Sequence, residues 1–273
     1  GEFDRVAGAP LDAFQKVNHK RRMLSLNDVF NQEELLSWSN RMEKLLDKVE
    51  HQYFAELKFD GIAVSLIYEN GKLIRGATRG DGYTGEDITE NVKMVKSIRL
   101  TLLGKYHKNI EVRGEIIMKK KVLDKINQKQ INLGLKPFAN TRNATAGSMR
   151  QLDPKIVKER ELDMFAYDAF SEDIDFKTHS EKHKFLKDLG LPVFEDDMVA
   201  KSVDEFTPFI ERIHKKRDEL LFNIDGIVIC VDEIEHQENL GIVGKAPRYA
   251  VAYKYPAEKA TSIVRDITVN VGR

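Results

Sequence analysis

The fold is decided by residues 53–91, which read YFAELKFDGIAVSLIYENGKLIRGATRGDGYTGEDITEN. The beginning of this stretch predicts a β-strand, and side chains on a strand alternate between its two faces, so Glu56, Lys58 and Asp60 share one face. Leu57 and Phe59 lie on the opposite face and can pack in a core. A lysine between two carboxylates is either part of a structural ion pair or a nucleophile, and the strand pattern leaves both interpretations open.

The remainder of the stretch predicts a hairpin, a glycine-rich loop and a helix. Residues 62–68 and 72–79 are rich in strand formers, and Asn70-Gly71 between them is a strong signal for a two-residue turn. The second strand brings Arg79 back towards Lys58. The glycine-rich loop at residues 80–85 either cradles a phosphate or is a flexible connection to a helix that runs to about residue 95.

The composition is that of an ordinary globular protein. Of its 273 residues, 41% are hydrophobic and 32% are charged, which is enough to bury a core. Lys+Arg and Asp+Glu both number 44, so the net charge of zero argues against a generally basic nucleic-acid binder but allows a local basic face. We expect one α+β domain over residues 4–268, a cloning remnant at 1–3 and the start of a further domain at 269–273.

Cysteine and histidine usage indicates a reducing compartment and gives no signal for a metal site. The single cysteine, Cys230, excludes an internal disulfide and a cysteine-based zinc site. No apolar run approaches the ~20 residues of a membrane span, so we expect a cytoplasmic protein. His179 and His183 are four residues apart at a polar helix start, without acidic or cysteine partners nearby in the sequence. We therefore expect surface histidines rather than metal ligands.

Capping signals and periodicity predict the other elements. Asn31, with Glu34 three residues later, resembles a capping box, and the apolar residues that follow repeat at helical spacing over about 18 residues. We expect strands at 111–118, 162–170, 224–231 and 249–255, and helices at 119–133, 180–189 and 203–217. Residues 138–152 are rich in small polar residues and carry Arg142 and Arg150. These arginines suit phosphate contact, although exposed arginines without a function are also common.

The motifs taken together resemble one protein family. The tetrapeptide KFDG at 58–61, followed by TRGDG at 78–82, is similar to the active-site lysine motif of NAD⁺-dependent DNA ligases. The similarity continues in the family's order through EVRGE at 111–115, FANTRN at 138–143, DGIVI at 225–229 and VAYKYPA at 251–257. It covers nearly the whole chain.

The resemblance implies a fold and a reaction. The fold would be that of the covalent nucleotidyltransferases, which is ATP-grasp-like, with two packed antiparallel sheets flanked by helices and a nucleotide pocket between them. Lys58 would attack the adenylyl phosphorus of NAD⁺, hold AMP, and pass it to the 5′-phosphate of nicked double-stranded DNA. Mg²⁺, or Mn²⁺, would assist. The domain would be a monomer, and residues 269–273 would begin an OB-fold domain.

The resemblance also implies roles for individual residues. Catalysis would depend on Lys58, Asp60, Asp225 and Lys254. The adenylate donor would be bound by Ser25, Leu26, Glu56, Lys58, Arg79, Glu115, Tyr167, Val228 and Lys254. The arginines expected to contact DNA or phosphate are Arg142, Arg150, Arg160 and Arg217. No metal ligand is expected, because the family's zinc domain lies outside this sequence.

Two features depart from the family pattern. After DGIVI the family carries a phosphate-contacting lysine, whereas this chain has Cys230, and a neutral thiol supplies no positive charge. We expect this change to cost several kcal/mol in the chemical steps. We also expect the family's small N-terminal domain and its C-terminal domains to lie outside this sequence. We therefore expect a domain that binds adenosine, adenylylates itself poorly and does not seal nicks.

Two alternatives stay open. An ATP-dependent DNA or RNA ligase, or a capping enzyme, shares the Lys-x-Asp-Gly motif, although the TRGDG loop and the FANTRN segment look like the NAD⁺ branch. A non-catalytic module that binds nucleotide or clamps DNA, with Lys58 in a simple ion pair, is the other alternative. Cys230 is the best sequence argument for such a module.

Overall fold

A computed structural model describes residues 5–104 and 108–256. Its strands are β1 (Lys16–Asn18), β2 (Asn27–Val29), β3 (Tyr53–Phe59), β4 (Ile62–Glu69), β5 (Lys72–Thr78), β6 (Thr84–Glu86), β7 (Ile110–Ile117), β8 (Asp163–Phe170), β9 (Asp197–Ala200), β10 (Ile224–Val231), β11 (Ile242–Val243), β12 (Ala246–Pro247) and β13 (Ala250–Lys254). Its α-helices are α1 (Gln32–Leu45), α2 (Thr89–Val92), α3 (Lys120–Asn132), α4 (Thr141–Met149), α5 (Pro154–Glu159), α6 (His179–Asp188), α7 (Thr207–Lys216) and α8 (Ile234–Leu240).

Two large sheets form the centre of the protein. The first has the strand order β2-β13-β10-β3-β9 and the second the order β5-β4-β7-β8. The predicted α+β architecture with two sheets and flanking helices is confirmed. One detail is corrected, because β2 runs parallel to β13, while the other strand pairs of these sheets in the described residues are antiparallel. The two strands are far apart in sequence, so no tight turn imposes an antiparallel direction on them.

The Lys-x-Asp-Gly motif carries the chain from one sheet to the other. β3 belongs to the five-stranded sheet, while β4, which begins after only two intervening residues, belongs to the four-stranded sheet. A Cβ at Gly61 would lie 1.9 Å from the carbonyl oxygen of Ile116, so only glycine permits this close approach. Lys58 and Asp60 therefore lie at the junction of the two sheets.

The predicted hairpin after this junction is confirmed. β4 and β5 pair antiparallel around Asn70 and Gly71, whose φ angles of 51° and 77° are those a two-residue turn between twisted strands requires. Because β5 ends at Thr78, Arg79 returns to the same end of the molecule as Lys58.

Each sheet has its own hydrophobic core. Leu57 and Phe59 on β3 belong to a core shared with α1 and α7, and Leu66 on β4 belongs to a core shared with α2, α4, α5 and α6. The sheets touch through an aromatic cluster in which the rings of Phe59 and Phe165 stack at 4.6 Å between centroids. The charged face of β3 is left facing the space between the sheets.

Two segments differ from the expectation. The helix after the glycine-rich loop covers only Thr89–Val92, and residues 138–152 contain a helix, Thr141–Met149. This helix begins after Asn140, whose side chain accepts a backbone N–H of the first turn. The hydroxyls of Thr145 and Ser148 donate to carbonyls four residues earlier, so these buried polar groups are satisfied within the helix. The abundance of small polar residues in 138–152 did not by itself predict this helix.

The predicted cap of α1 is confirmed. The Asn31 side chain accepts the Glu34 N–H at 2.8 Å, and the Glu34 carboxylate accepts the Phe30 N–H at 2.9 Å, so α1 begins where expected, although it ends after 14 residues. A capping box of Ser202 and Glu205 begins the helical region at 203–216, whose first turn is a 3₁₀ helix.

No helix within residues 5–104 and 108–256 is both long and apolar enough to cross a membrane. The predicted remnant at 1–3, the first and last residues of the predicted domain and the predicted OB-fold start at 269–273 lie outside the described residues.

Candidate functional site

A cavity of about 1020 Å³ opens between the two sheets. β3, β10 and β13 form one wall, β7 and β8 contribute to the opposite wall, and residues 21–28 and 78–80 line further sides. This volume is sufficient for a nucleotide-sized ligand. The cavity brings together the predicted donor-binding residues Ser25, Leu26, Glu56, Lys58, Arg79, Glu115, Tyr167, Val228 and Lys254.

Three neighbouring strands place two lysines on one carboxylate. Gly226 on β10 is the register partner of both Lys58 on β3 and Lys254 on β13. The adjacent Asp225 accepts from both lysines, since its Oδ2 lies 3.3 Å from Lys58 Nζ and 2.9 Å from Lys254 Nζ. Burial would lower the pKa of Lys254, but the hydrogen bond and charge of Asp225 raise it. Lys254 therefore holds a positive charge beside the Lys58 amine.

Asp60 extends this charged cluster beyond the end of β3. Its Oδ1 lies 3.9 Å from Arg142 Nη1, and both residues line the cavity. Burial, and then the charge of Asp225, raise the pKa of Asp60 against the opposing effect of Arg142. A cation bound in this region would relieve the repulsion between the two carboxylates.

A β-bulge aims Tyr167 into the cavity. On β7, Gly114 pairs with Ala166 and Arg113 pairs with Asp168, so Tyr167 is the extra residue on β8. Tyr167 and Asp168 consequently both line the cavity, although they are adjacent in sequence. Burial raises the pKa of the Tyr167 phenol, which keeps it neutral.

Glu115 is a half-buried carboxyl residue on the opposite wall from Lys58. Burial raises its pKa to about 7 from a usual value of 4.5, against the lowering effects of Lys58 and of a hydrogen bond from the Gly61 backbone. The folded chain therefore binds this proton more tightly than the unfolded chain does. The stability that results is fully present below about pH 4.5 and is lost as the pH rises through about 7.

We expect Glu115→Gln to remove this dependence on pH. The shift corresponds to roughly 3 kcal/mol of unfolding free energy between pH 4.5 and pH 8, and the amide cannot ionise. Urea denaturation at several pH values measures the effect. Glu69→Gln is the control because Glu69 is exposed. It should leave the dependence of the unfolding free energy on pH as it is in the parent chain. If the unfolding free energy depended on pH equally in the parent and in Glu115→Gln, the prediction would be wrong.

Arg113 holds the segment that precedes β2 against the cavity. Its Nη1 and Nη2 donate to the carbonyls of Arg22 and Arg21 at 3.2 and 2.6 Å, and its Nε donates to Glu111 at 3.0 Å. Buried charge-assisted hydrogen bonds of this kind are strong, so the segment is well positioned. The sequence predicted the strand that carries Arg113 but not these contacts.

Glu56 contacts two histidines that we expected at the surface. His179 and His183 are only 8% and 5% exposed. Their Nε2 atoms lie 3.6 and 2.5 Å from Glu56 Oε2, and His183 Nδ1 lies 3.4 Å from Asp197 Oδ2. The expectation was wrong because the acidic partners come from β3 and β9, which are distant from α6 in sequence.

The charges in this cluster stabilise one another. Burial would raise the pKa of Glu56, but the charge of His183 and the proximity of both imidazoles lower it. Burial would likewise lower the pKa of His183, but Glu56 and Asp197 raise it. In the absence of another ligand, Glu56 and His183 therefore form an ion pair at neutral pH.

The predicted arginines separate into two groups. Arg79, Arg142 and Arg150 line the cavity, whereas Arg160 and Arg217 are not among its lining residues. The cavity is therefore flanked by at least three guanidinium groups, as the predicted phosphate contacts require.

The two remaining arginines have structural contacts. Arg217 is buried and donates to the carbonyls of Ile224 and Pro256, which joins the start of β10 to the chain after β13. Arg160 lies over the ring of Phe138 at 5.5 Å. These contacts orient both guanidinium groups towards protein atoms.

Cys230 occupies a cavity-lining position on β10. It pairs with Phe54 on β3 and Ala250 on β13, and only 6% of it is exposed. Burial, and then the negative charge of Glu56, raise the pKa of the thiol well above its usual value. The thiol is therefore neutral, and this position contributes no positive charge to the cavity.

Lys182 and Asp168 also line the cavity, and sequence analysis did not single them out. Lys182 Nζ donates to Asp168 at 3.0 Å and lies 4.2 Å from the centre of the Phe170 ring. The only available signal was helical spacing, because Lys182 follows His179 by three residues and shares its face of α6.

Proteins of similar sequence carry the name DNA ligase. Relatives named DNA ligase include one from Bacillus licheniformis, 47% identical over 270 residues, and one from Acetivibrio thermocellus, 49% identical over 271 residues. Each match covers 98% of this chain and 40% of the relative, so the chain spans about two fifths of the length of these relatives. The model of the family described as the NAD-dependent DNA ligase adenylation domain matches residues 11–258, and the chain belongs to this family. The resemblance inferred from the motifs is confirmed.

Similar solved structures are more distant. One described as an archaeal ATP-dependent RNA ligase covers 86% of this chain and 48% of its own, with a TM-score of 0.48 and 14% identity. Another, described as mycobacterial DNA ligase D complexed with ATP and MES, covers 75% of this chain and 55% of its own, with a TM-score of 0.39 and 15% identity. Similarity at this level does not assign a function.

Proposed function

We propose that this domain transfers an adenylyl group from NAD⁺ to Lys58. The observation that carries the proposal is that Lys58 and Lys254, which both line a nucleotide-sized cavity, contact one oxygen of Asp225. An amine nucleophile needs a nearby group to take its proton, and a phosphoryl centre under attack needs a positioned positive charge. Asp225 supplies the first and Lys254 the second.

In the proposed step, the neutral Lys58 amine attacks the adenylyl phosphorus of NAD⁺. A nitrogen–phosphorus bond forms, and the bond between that phosphorus and the bridging oxygen of the pyrophosphate breaks. Nicotinamide mononucleotide leaves with the electron pair of the broken bond, and Asp225 takes the proton that the amine loses. Lys254 and Arg79 stabilise the negative charge that develops on the phosphoryl oxygens.

The other lining residues hold adenosine in this proposal. Glu56 accepts a hydrogen bond from the adenine amino group, and Tyr167 stacks on the base. Ser25 and Leu26 cover the nucleoside, while Glu115 binds a ribose hydroxyl. Since its pKa is raised to about 7, Glu115 can act as a donor as well as an acceptor.

Later steps belong to the whole protein and are proposals for it. The adenylyl group would pass to the 5′-phosphate at a nick in double-stranded DNA, with Arg142 and Arg150 in contact with phosphates. Binding of Mg²⁺ stays a prediction. Among the described residues, no three carboxylates converge near Lys58 to mark a position for the ion, and none of the steps above passes through it. The monomeric state, the cytoplasmic localisation and the weak activity of this domain on its own also stay predictions.

The experiment is incubation with NAD⁺ or with ATP, followed by mass spectrometry and peptide mapping. We expect an adenylyl adduct on Lys58 with NAD⁺. Because Cys230 lowers the expected rate, the Cys230→Lys variant is treated in parallel. An adduct formed from ATP instead of NAD⁺ would favour an ATP-dependent nucleotidyltransferase. Absence of an adduct from both chains, with nucleotide binding retained in calorimetry, would favour a non-catalytic module.

A further inference from the structure

We propose that Glu56, His179 and His183 form a binding site for a divalent transition-metal ion of the zinc type. The ligand atoms of these three buried side chains all lie within 4.8 Å of one another. Two imidazoles and one carboxylate are a common ligand set for zinc, which binds them at about 2.0–2.2 Å. Small rotations of the side chains would bring three donors to those distances around a single ion.

The secondary structure places the donors in suitable positions. His179 and His183 are one turn apart on α6, so they share a face, and both His179 and Glu56 on β3 line the cavity. The Nε2 atoms of both histidines face the same oxygen, Glu56 Oε2. A single ion at this point would contact all three side chains.

The donor atoms are buried and lack hydrogen bonds of acceptable geometry. Among the described residues, this holds for Glu56 Oε2, His179 Nε2 and His183 Nε2, and also for His183 Nδ1. Buried polar atoms in folded proteins are nearly always satisfied, so three convergent unsatisfied atoms require an explanation. A metal ion would bind these three atoms at once, whereas the Glu56–His183 ion pair leaves them without hydrogen bonds of acceptable geometry.

The surroundings resemble the outer shell of a metal site. His183 Nδ1 lies 3.4 Å from Asp197 Oδ2, so this carboxylate is close enough to accept from Nδ1 when Nε2 binds metal. Asp197 is also the register partner of Glu56 on the adjacent strand β9. The ring of Phe54 packs against both imidazoles, at 5.1 and 4.7 Å between centroids, and provides an apolar wall.

The nearest lysine does not oppose a bound cation strongly. Lys182 lies between the two histidines in sequence, but its ammonium group is paired with Asp168 at 3.0 Å. Glu56 and Asp197 supply two negative charges next to a divalent ion and two neutral imidazoles. Because His179 and Glu56 line the cavity, a fourth coordination position would face the cavity and could hold water.

Calorimetric titration of the chelator-treated chain with Zn²⁺, without nucleotide, tests the site. We expect one ion to bind per chain, and we expect His179→Gln and His183→Gln each to weaken binding more than about tenfold. His214→Gln is the matched control, because His214 is exposed on α7. Cys230→Ser should bind as the parent does. Absence of binding, or equal binding by the parent and both site variants, would overturn the proposal.

The visible absorption spectrum of the parent chain with bound Co²⁺ tests the site without requiring that a variant folds. A tetrahedral site of nitrogen and oxygen donors gives strong visible bands without a thiolate charge-transfer band, and this is the expected spectrum for the parent chain. A weak octahedral spectrum would overturn the proposal. A thiolate band that disappears in Cys230→Ser would also overturn it, because the ion would then be bound to sulfur.

One consequence rests on the proposed function. If Glu56 accepts from adenine, a metal ion on Glu56 competes with the nucleotide, so saturating Zn²⁺ should weaken AMP binding more than about tenfold in the parent and not in His183→Gln. Zn²⁺ binding without competition would leave the metal site intact and contradict the adenine role of Glu56. Failure of Zn²⁺ to bind would leave the adenylylation proposal untouched.

Discussion

Replacement of Lys58 by arginine is expected to abolish covalent adenylylation while the fold is preserved. Arginine keeps the positive charge next to Asp225, but its guanidinium group does not lose a proton at usable pH and cannot act as the nucleophile. We expect the rate of adduct formation to fall on the order of 10³-fold or more. Peptide mapping after incubation with NAD⁺ measures the loss.

The matched control is Lys72→Arg, which changes an exposed lysine on β5. It should form adduct at the rate of its parent. Calorimetry with AMP separates binding from chemistry, and we expect Lys58→Arg to retain AMP binding within about tenfold, because the adenosine contacts are unchanged. An AMP adduct that persists in Lys58→Arg, for example on Lys254, would show that the nucleophile is misassigned.

Patterns in short stretches of sequence predicted the cavity wall that carries Lys58. Alternation along a strand placed Glu56 and Lys58 on one face, and two-residue turn chemistry at Asn70-Gly71 returned Arg79 to the same end of the molecule. These features depend on residues close together in sequence. Single-sequence patterns therefore suffice for them.

The partners that act across the fold were not predictable in this way. His179 and His183 looked like surface residues because their acidic partners, Glu56 and Asp197, lie on strands that only the tertiary structure brings to α6. Burial of a polar helix face requires a partner surface, and no local pattern shows that surface.

Irregularities in strand register could not be predicted from short stretches of sequence either. A bulge at Tyr167 adds one residue to β8, so the simple alternation predicted for 162–170 fails in its second half. The family resemblance, rather than the period of the strand, identified Tyr167 as a cavity residue. Arg113 was placed on the correct strand, but its contacts with the carbonyls of Arg21 and Arg22 depend on a segment that lies about 90 residues away.

Restoring a lysine at position 230 is expected to accelerate adenylylation of Lys58. Cys230 lines the cavity on β10, two residues along the strand from Val228, and its neutral thiol provides no charge. Position 230 lies four residues along β10 from Gly226, the register partner of Lys58, so a lysine ammonium there has to extend along the cavity wall to reach the phosphoryl group. Removal of one positioned donor at such a centre typically costs roughly 3–4 kcal/mol, so we expect Cys230→Lys to increase the rate about 100- to 1,000-fold.

The environment can accept this charge, and a matched variant isolates its effect. Glu56, Asp168 and Asp232 supply negative potential at Cys230, and the charge of Lys182 opposes it. Cys230→Met adds length and volume without charge, so it should show no comparable gain in the initial rate of adduct formation at saturating NAD⁺. An equal gain in Cys230→Met would mean that packing limits the reaction. No gain in a folded Cys230→Lys chain would mean that position 230 does not reach the reacting phosphate, and the low activity expected of this domain would then need another cause.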